Sequence, residues 1–253
     1  MKNKKATLFG FFITIILLTA LTVTAVASGN ISKWFKQSSA SDAYTFQEYD
    51  GDGPLYWDDA VEFYQVPEEL LTSMSTEGLI ETCLEYPLFA SQITTSNVSM
   101  YSGFMDTRKH FNGIAELFKR EDAASKLIEV YTTSKLSDIT SSDSYSTLRM
   151  KYLEYMIAQD EILLSLTKSE RSELLEFCIN RFDTVRKEYD GFFPPDSTIL
   201  IVSKILTEDN ASFKELVEEY PGIETFNRDG VIDQGTLDSI ETIIDFIDKE
   251  GGF

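Results

Sequence analysis

The sequence predicts an all-α fold. Three observations predict it. Apolar residues recur at three- and four-residue spacing over nearly the whole chain after residue 54. No alternating run bounded by hairpin turns occurs. The β-branched runs, such as Ile199 to Val202, sit inside helical spacing. About ten short helices joined by short loops make a multihelical single domain, either a compact bundle or a degenerate stack of helical hairpins without a strict repeat. The expected division is a signal peptide over 1–27, a polar linker over 28–53 and an all-helical domain over 54–253.

The elements follow in order. A first short helix closes at Phe63, before Pro67. Pro67-Glu68-Glu69 opens the next, with acids at the positive end of the helix dipole. Ser75-Thr-Glu-Gly78 caps a helix carrying Leu79, Ile80, Cys83 and Leu84 that stops before Pro87. Val98, Tyr101, Met105 and Phe111 mark another, and Ile114, Leu117 and Phe118 a short one after Asn112. Ala124, Leu127, Ile128 and Tyr131 mark the next, and the Ser/Thr/Asp-rich stretch from Thr132 to Ser144 reads as a loop. Leu148 to Leu166 and Leu174 to Tyr189 carry the clearest periodicity, with Gly191 as a stop. After Pro194-Pro195 the helix centred on Ile199 to Leu206 is apolar nearly all round, so it belongs inside. Phe213 to Tyr220 form a helix ended by Pro221-Gly222, and Leu237 to Ile247 the last, ended by Gly251-Gly252. Leu174, Phe182 and Leu216 are expected in the core.

The N-terminus carries an address. Lys2, Lys4 and Lys5 precede an uncharged apolar run from Leu8 to Leu21, and Ala25-Val-Ala27 supplies a small-x-small cleavage site. That order reads as a secretory signal peptide, and the expected location is secreted or extracellular, with association to the cell envelope open. A retained anchor is the alternative, because Thr7 to Ala27 approaches the roughly 20 residues of a membrane span. The net charge is −20; removing a segment with three lysines and no acid leaves −23. Such a chain is repelled by nucleic acid and anionic membrane surfaces, so neither is expected as a partner. Its 43 % hydrophobic and 13 % aromatic content is that of a folded domain. Cys83 and Cys178 each lie on an apolar helical stripe and are expected to be buried thiols; whether they pair depends on a Cα separation that sequence does not give.

Two segments carry a resemblance: Val66 to Phe89 (VPEELLTSMSTEGLIETCLEYPLF) and His110 to Ala123 (HFNGIAELFKREDA). They resemble a group of uncharacterised exported helical proteins of gut anaerobic bacteria. The resemblance covers less than a quarter of the chain and implies export and helix, with no activity attached.

Four candidate chemistries remain. Thr225 to Thr236 has the middle of a calcium loop, with Asn227, Asp229, Gly230 and Asp233 at its third, fifth, sixth and ninth positions. Its ends are Thr225 and Thr236 where the motif wants Asp and a bidentate Glu, so Asn227, Asp229 and Asp233 are weak metal ligands and a polar turn is the simpler reading. Asp50, Asp52, Asp58, Asp59 and Glu62 form an acidic edge beside Tyr44, Phe46, Tyr49, Tyr56 and Trp57, which either staple the linker to the domain or make a sugar-stacking platform. His110 is the only histidine, and no nucleophile motif lies near it; one histidine and two distant cysteines give no zinc spacing. Glu77, Glu81 and Glu85 share one helix face, as either a solvated face or a carboxylate site. No catalytic residue and no cofactor is expected. The leading expectation is an exported non-enzymatic interaction module whose partner is a protein or a surface polymer. The alternatives are an acid-based hydrolase of polysaccharide or cell wall and a weak calcium binder.

Overall fold

The computed structural model describes residues 42–50, 56–89, 100–134, 144–188, 196–230 and 234–250. The predicted signal peptide, linker residues 28–41 and 51–53, Gly191, Pro194-Pro195, Asp233 and Gly251-Gly252 lie outside them.

Among the described residues the chain forms thirteen α-helices and no strand. The first half holds α1 (Trp57–Phe63), α2 (Glu68–Ser73), α3 (Thr76–Leu84), α4 (Met100–His110), α5 (Asn112–Leu117) and α6 (Ala123–Thr133). The second half holds α7 (Ser144–Ile157), α8 (Asp160–Leu163), α9 (Lys168–Glu188), α10 (Asp196–Asp209), α11 (Ala211–Glu219), α12 (Pro221–Asp229) and α13 (Gln234–Glu250). The fold is all-α and multihelical, and one contiguous core runs from Val66 to Ile247.

Local chemistry sets the helix ends. Ser75 has extended backbone, and its Oγ accepts from Gly78 N at 3.0 Å, satisfying a first-turn donor of α3. Asn210 does the same for α11 through Phe213 N at 2.9 Å. Thr167 and Glu170 form a reciprocal capping box at the start of α9: Thr167 N donates to Glu170 Oε2 at 2.7 Å, and Glu170 N to Thr167 Oγ1 at 3.3 Å.

Two predicted elements differ. The stretch Leu148 to Leu166, read as one helix, breaks at Gln159, whose ψ of 142° is extended. Its side-chain amide compensates by donating to Tyr155 O at 2.7 Å, a carbonyl near the end of α7. Pro221-Gly222, read as a terminator, instead opens α12: a proline stops the helix before it and suits the first position of the one after. The helix then ends at Gly230, which has φ +55° and whose N–H donates to Phe226 O at 2.8 Å. A Cβ there would stand 2.5 Å from Tyr101 Cβ, so both conformation and contact ask for glycine.

Two helices organise the rest. α7 packs on α3, α4, α6, α8 and α10, while α10 packs on α7, α9, α11, α12 and α13. Residues Lys151 to Gln159 are all buried, as are Ile199 to Ser203. Buried polar groups join the pair. Glu154 is fully buried and accepts from Tyr131 Oη at 2.7 Å, Thr198 Oγ1 at 2.8 Å and Ser197 Oγ at 2.5 Å. Beside it the Lys151 ammonium pairs with Asp196, which also accepts from Tyr155 Oη at 2.9 Å. Two carboxylates thus meet the N-terminus of α10, one from within and one across from α7, where the helix dipole favours negative charge. Burial above all, then Cys178 and Glu154 nearby, pushes the Tyr131 phenol well above its ordinary range, so it stays a donor.

The linker's end packs on the domain. Ser75 N and Oγ donate to Asp42 at 2.6 and 2.8 Å, and Tyr44 N donates to Thr82 Oγ1 at 2.9 Å. Leu174 and Phe182 are buried as expected, at 2 % and 4 % exposure. Leu216 is not: it is only partly buried against the core, because α11 lies at the surface. Cys83 and Cys178 are both free and buried, and burial pushes both thiols far up.

Candidate functional site

A cleft of about 740 Å³ opens where α4, α8, α10 and α12 converge. Its position follows from the break at Gln159: the chain turns there, and α8 stands off as one wall. Tyr101, Met105, Leu163, Ile205 and Val217 give the cleft an apolar lining, and Leu164 stands at it 61 % exposed. The remaining lining is charged: Arg108, Arg171, Lys204 and Arg228 against Asp160, Glu161, Glu208 and Glu224. In a chain with 42 acids and 22 bases, this patch is locally balanced.

Most of those charges are engaged. Arg108 Nη1 donates to Gln159 Oε1 at 2.5 Å, its Nη2 pairs with Glu161, and the guanidinium lies 5.2 Å from the Phe118 ring centroid. Lys204 Nζ pairs with Asp160 at 2.8 Å. Arg171 grips Asp209 with two donors, at 2.6 and 2.9 Å, and spends a third on Leu166 O at 2.7 Å. That fork holds the Asp209 carboxyl below its ordinary 3.8, and Arg228 does the same to Asp229. One polar group on the wall is unspent. Asn227 Nδ2 donates to Thr207 Oγ1 at 3.1 Å, and that hydroxyl spends its own hydrogen on Ser203 O at 2.7 Å. The amide orientation is therefore fixed, and Asn227 Oδ1 is a buried acceptor with no donor on it.

The predicted sites fall as follows. Asn227 and Asp229 lie on α12 rather than in a turn, Gly230 ends that helix, and Asp233 lies outside the described residues. A helix through 229 does not present the loop carbonyl and side-chain ring that calcium coordination by this pattern requires. Among the described residues no group of three His, Cys, Asp or Glu is placed to hold a metal ion. Of the three acids on one face of α3, Glu81 and Glu85 are largely shielded from solvent, whereas Glu77 is about half exposed. Arg149 bridges Glu81 and Glu85 at 2.6 and 2.5 Å, and Lys126 pairs with Glu77 at 2.6 Å, tying α3 to α7 and α6. His110 is exposed at the end of α4, its Nε2 3.7 Å from Asp106. The aromatics divide: Tyr44 and Phe46 pack against the core, whereas Tyr49, Tyr56 and Trp57 remain exposed, and Asp52 lies outside the described residues.

Sequence reasoning missed the cleft. Its residues come from six helices, and each reads alone as ordinary helix surface. The usable signal was Asp160-Glu161, an acidic pair suited to a helix first turn inside what otherwise looks like one continuous helix. No family model, curated protein or solved structure matches the chain, so its function is argued from this geometry.

Proposed function

We propose that the chain is an exported, non-enzymatic interaction module whose cleft receives a segment of a protein or surface polymer. The observation that carries the reading is the cleft itself: an open, apolar-lined recess whose four rim cations are each engaged in an ion pair, two of them with rim acids. Such a lining supports recognition by shape and apolar contact. The same rim argues against the acid-based hydrolase. A proton-donating carboxyl needs an apolar pocket away from cations. Asp160 and Glu161 are instead exposed and paired with Lys204 and Arg108, and Glu208 and Glu224 are exposed.

The test is a displayed-peptide and glycan screen against the mature chain, repeated with Val217→Trp, which fills the recess, and with Asn227→Ala. Ligands that bind the parent and are lost on filling the recess support the reading. Binding that ignores both changes, or turnover of a screened compound that disappears with Asp160→Asn or Glu208→Gln, sinks it. Export carries its own check: N-terminal sequencing of the secreted protein is expected to start at Ser28, within about two residues of the Ala27 boundary. An intact Met1 in the membrane fraction would favour the anchor.

A further inference from the structure

A second surface, distant in sequence from the cleft residues, has its own chemistry. Tyr56, Asp59 and Phe63 are spaced i, i+3 and i+7, so they form one stripe along α1. Tyr56 is 70 % and Phe63 42 % exposed, and Asp59 between them is exposed. Tyr49 stands edge-on to Phe63 at 5.5 Å and is itself 39 % exposed. Phe63, and Tyr49 through it, are held from behind. Phe63 meets Tyr64 at 4.9 Å, Tyr64 meets Phe46 at 6.2 Å, and Phe46 rests on Tyr86 and Phe111, which stack at 4.0 Å inside the core. The Phe63 end of the platform is therefore preorganised, which lowers the ordering cost of binding.

The charge around it is one-sided. From residue 37 to residue 107 the chain holds thirteen acids and no Lys, Arg or His. The bases that reach back from later helices serve α3 and the end of α2: Arg149 takes Glu81 and Glu85, Lys126 takes Glu77, and Arg120 takes the backbone carbonyls of Leu71 and Met74 and no carboxylate of α1 or α2. Among the described residues no ion pair engages Glu48, Asp50, Asp58, Asp59, Glu62, Glu68 or Glu69. Exposed rings interleaved with unpaired carboxylates complement a cation that also carries an apolar stem, as lysine and arginine do. The stripe from Tyr56 to Phe63 runs about 10 Å, longer than one ammonium group needs. Carboxylates spread over α1, the start of α2 and residues 48–50 match several cations on one chain. A neutral glycan would use the rings and leave the acids without a role.

We propose that this face docks a lysine- or arginine-bearing segment of a partner protein, with a cationic head group on Asp59 between the Tyr56 and Phe63 rings. The probe is a fluorescein-labelled oligolysine peptide, followed by anisotropy with the mature chain at about 150 mM salt, where diffuse surface attraction is screened beyond roughly 8 Å. Asp59→Asn and Phe63→Ala are each expected to weaken binding roughly tenfold. Glu218→Gln with Glu219→Gln, two exposed acids on α11, is expected to change it less than twofold, in line with screening of distant charge. Tyr56→Ser, at the most exposed ring, serves as the second ring variant if Phe63→Ala lowers the melting temperature. Three results would each overturn the proposal. One is a loss in the α11 control equal to that of Asp59→Asn, meaning diffuse electrostatics only. Another is binding that ignores both ring variants. The third is a soluble neutral glycan whose binding needs the rings while oligolysine binding does not.

Discussion

Leu174 lies on α9, 2 % exposed, and Leu216 on α11 is only partly buried. The two leucines look alike in sequence, since each sits in a helical apolar stripe, but they occupy different environments. Leu174→Ala is expected to cost about 2–5 kcal/mol and Leu216→Ala less than half of that, because a half-exposed site leaves no sealed cavity. Urea unfolding of the pair measures the difference; equal costs would contradict the burial assigned to α11. Glu154 raises a sharper case. It receives three hydroxyls and has no exposure. Glu154→Ala strands Tyr131, Ser197 and Thr198 without their acceptor, and a loss of about 3–5 kcal/mol is expected from leaving three buried hydroxyls unsatisfied. Glu154→Gln keeps the shape and two acceptor positions' worth of contact, so it is expected to lose less. A Glu154→Ala variant as stable as the parent would mean that the network contributes nothing to holding α10 on α7.

At the scale of elements, helix existence was legible and helix joints were not. Ser75 announced α3, and the apolar circumference of Ile199 to Leu206 announced an internal α10, because capping and burial are local or periodic signals. The break at Gln159 is invisible to periodicity: the apolar spacing runs straight through it, and the turn is held by Arg108 from a helix some fifty residues earlier. The opening of α12 at Pro221 was misread because proline after a helix signals a stop and proline before one signals a start, and here it does both. The cleft inherits both of those joints, which is why it was illegible while the core was not. Long-range pairs between elements also predict the acid response. Arg171 on α9 and Asp209 on α10 form one such clamp, and Asp42 binds Ser75 at the head of α3. Hydrogen bonds from these partners hold both carboxyls below their ordinary 3.8 in the folded chain, and Lys126 holds Glu77 below its ordinary 4.5. A carboxyl that is more acidic folded than unfolded contributes stability fully above its unfolded value and loses it as pH falls through the folded one. The melting temperature is therefore expected to be nearly flat from about pH 7 to pH 5 and to drop below about pH 4. Asp209→Asn should lower it at neutral pH and make the acid drop shallower. An unchanged acid limb in Asp209→Asn would show that this clamp carries none of the pH dependence.

The whole molecule carries its charge unevenly, and this decides how salt acts on it. With 42 acids against 22 bases, the folded state gathers more like charge than it can pair. The bases are spent on joints: Arg149 and Lys126 on α3, Arg171 and Lys204 around α10, and Arg186 between α9 and Asp248 on α13. The face from Glu48 to Glu69 has acids and no base of its own. Salt weakens both the pairs and the repulsion, so the two effects compete. The tightest joints are shielded from solvent: the Arg171–Asp209 side chains are 13 % and 19 % exposed and the Lys151–Asp196 pair 2 % and 11 %, so screening reaches them least. The unpaired acids are exposed, so screening reaches them most. Repulsion should therefore be relieved more than attraction is lost, and the melting temperature is expected to rise by about 2–4 °C between roughly 10 mM and 300 mM sodium chloride, the shift that about 1 kcal/mol produces in a domain of this size. Differential scanning fluorimetry over that range reads it directly. The same titration on Asp58→Asn with Asp59→Asn should start from a higher melting temperature at low salt and rise less. A melting temperature that falls as salt is added would mean that the surface pairs, and not the crowding of acids on the first two helices, dominate the electrostatics of the fold.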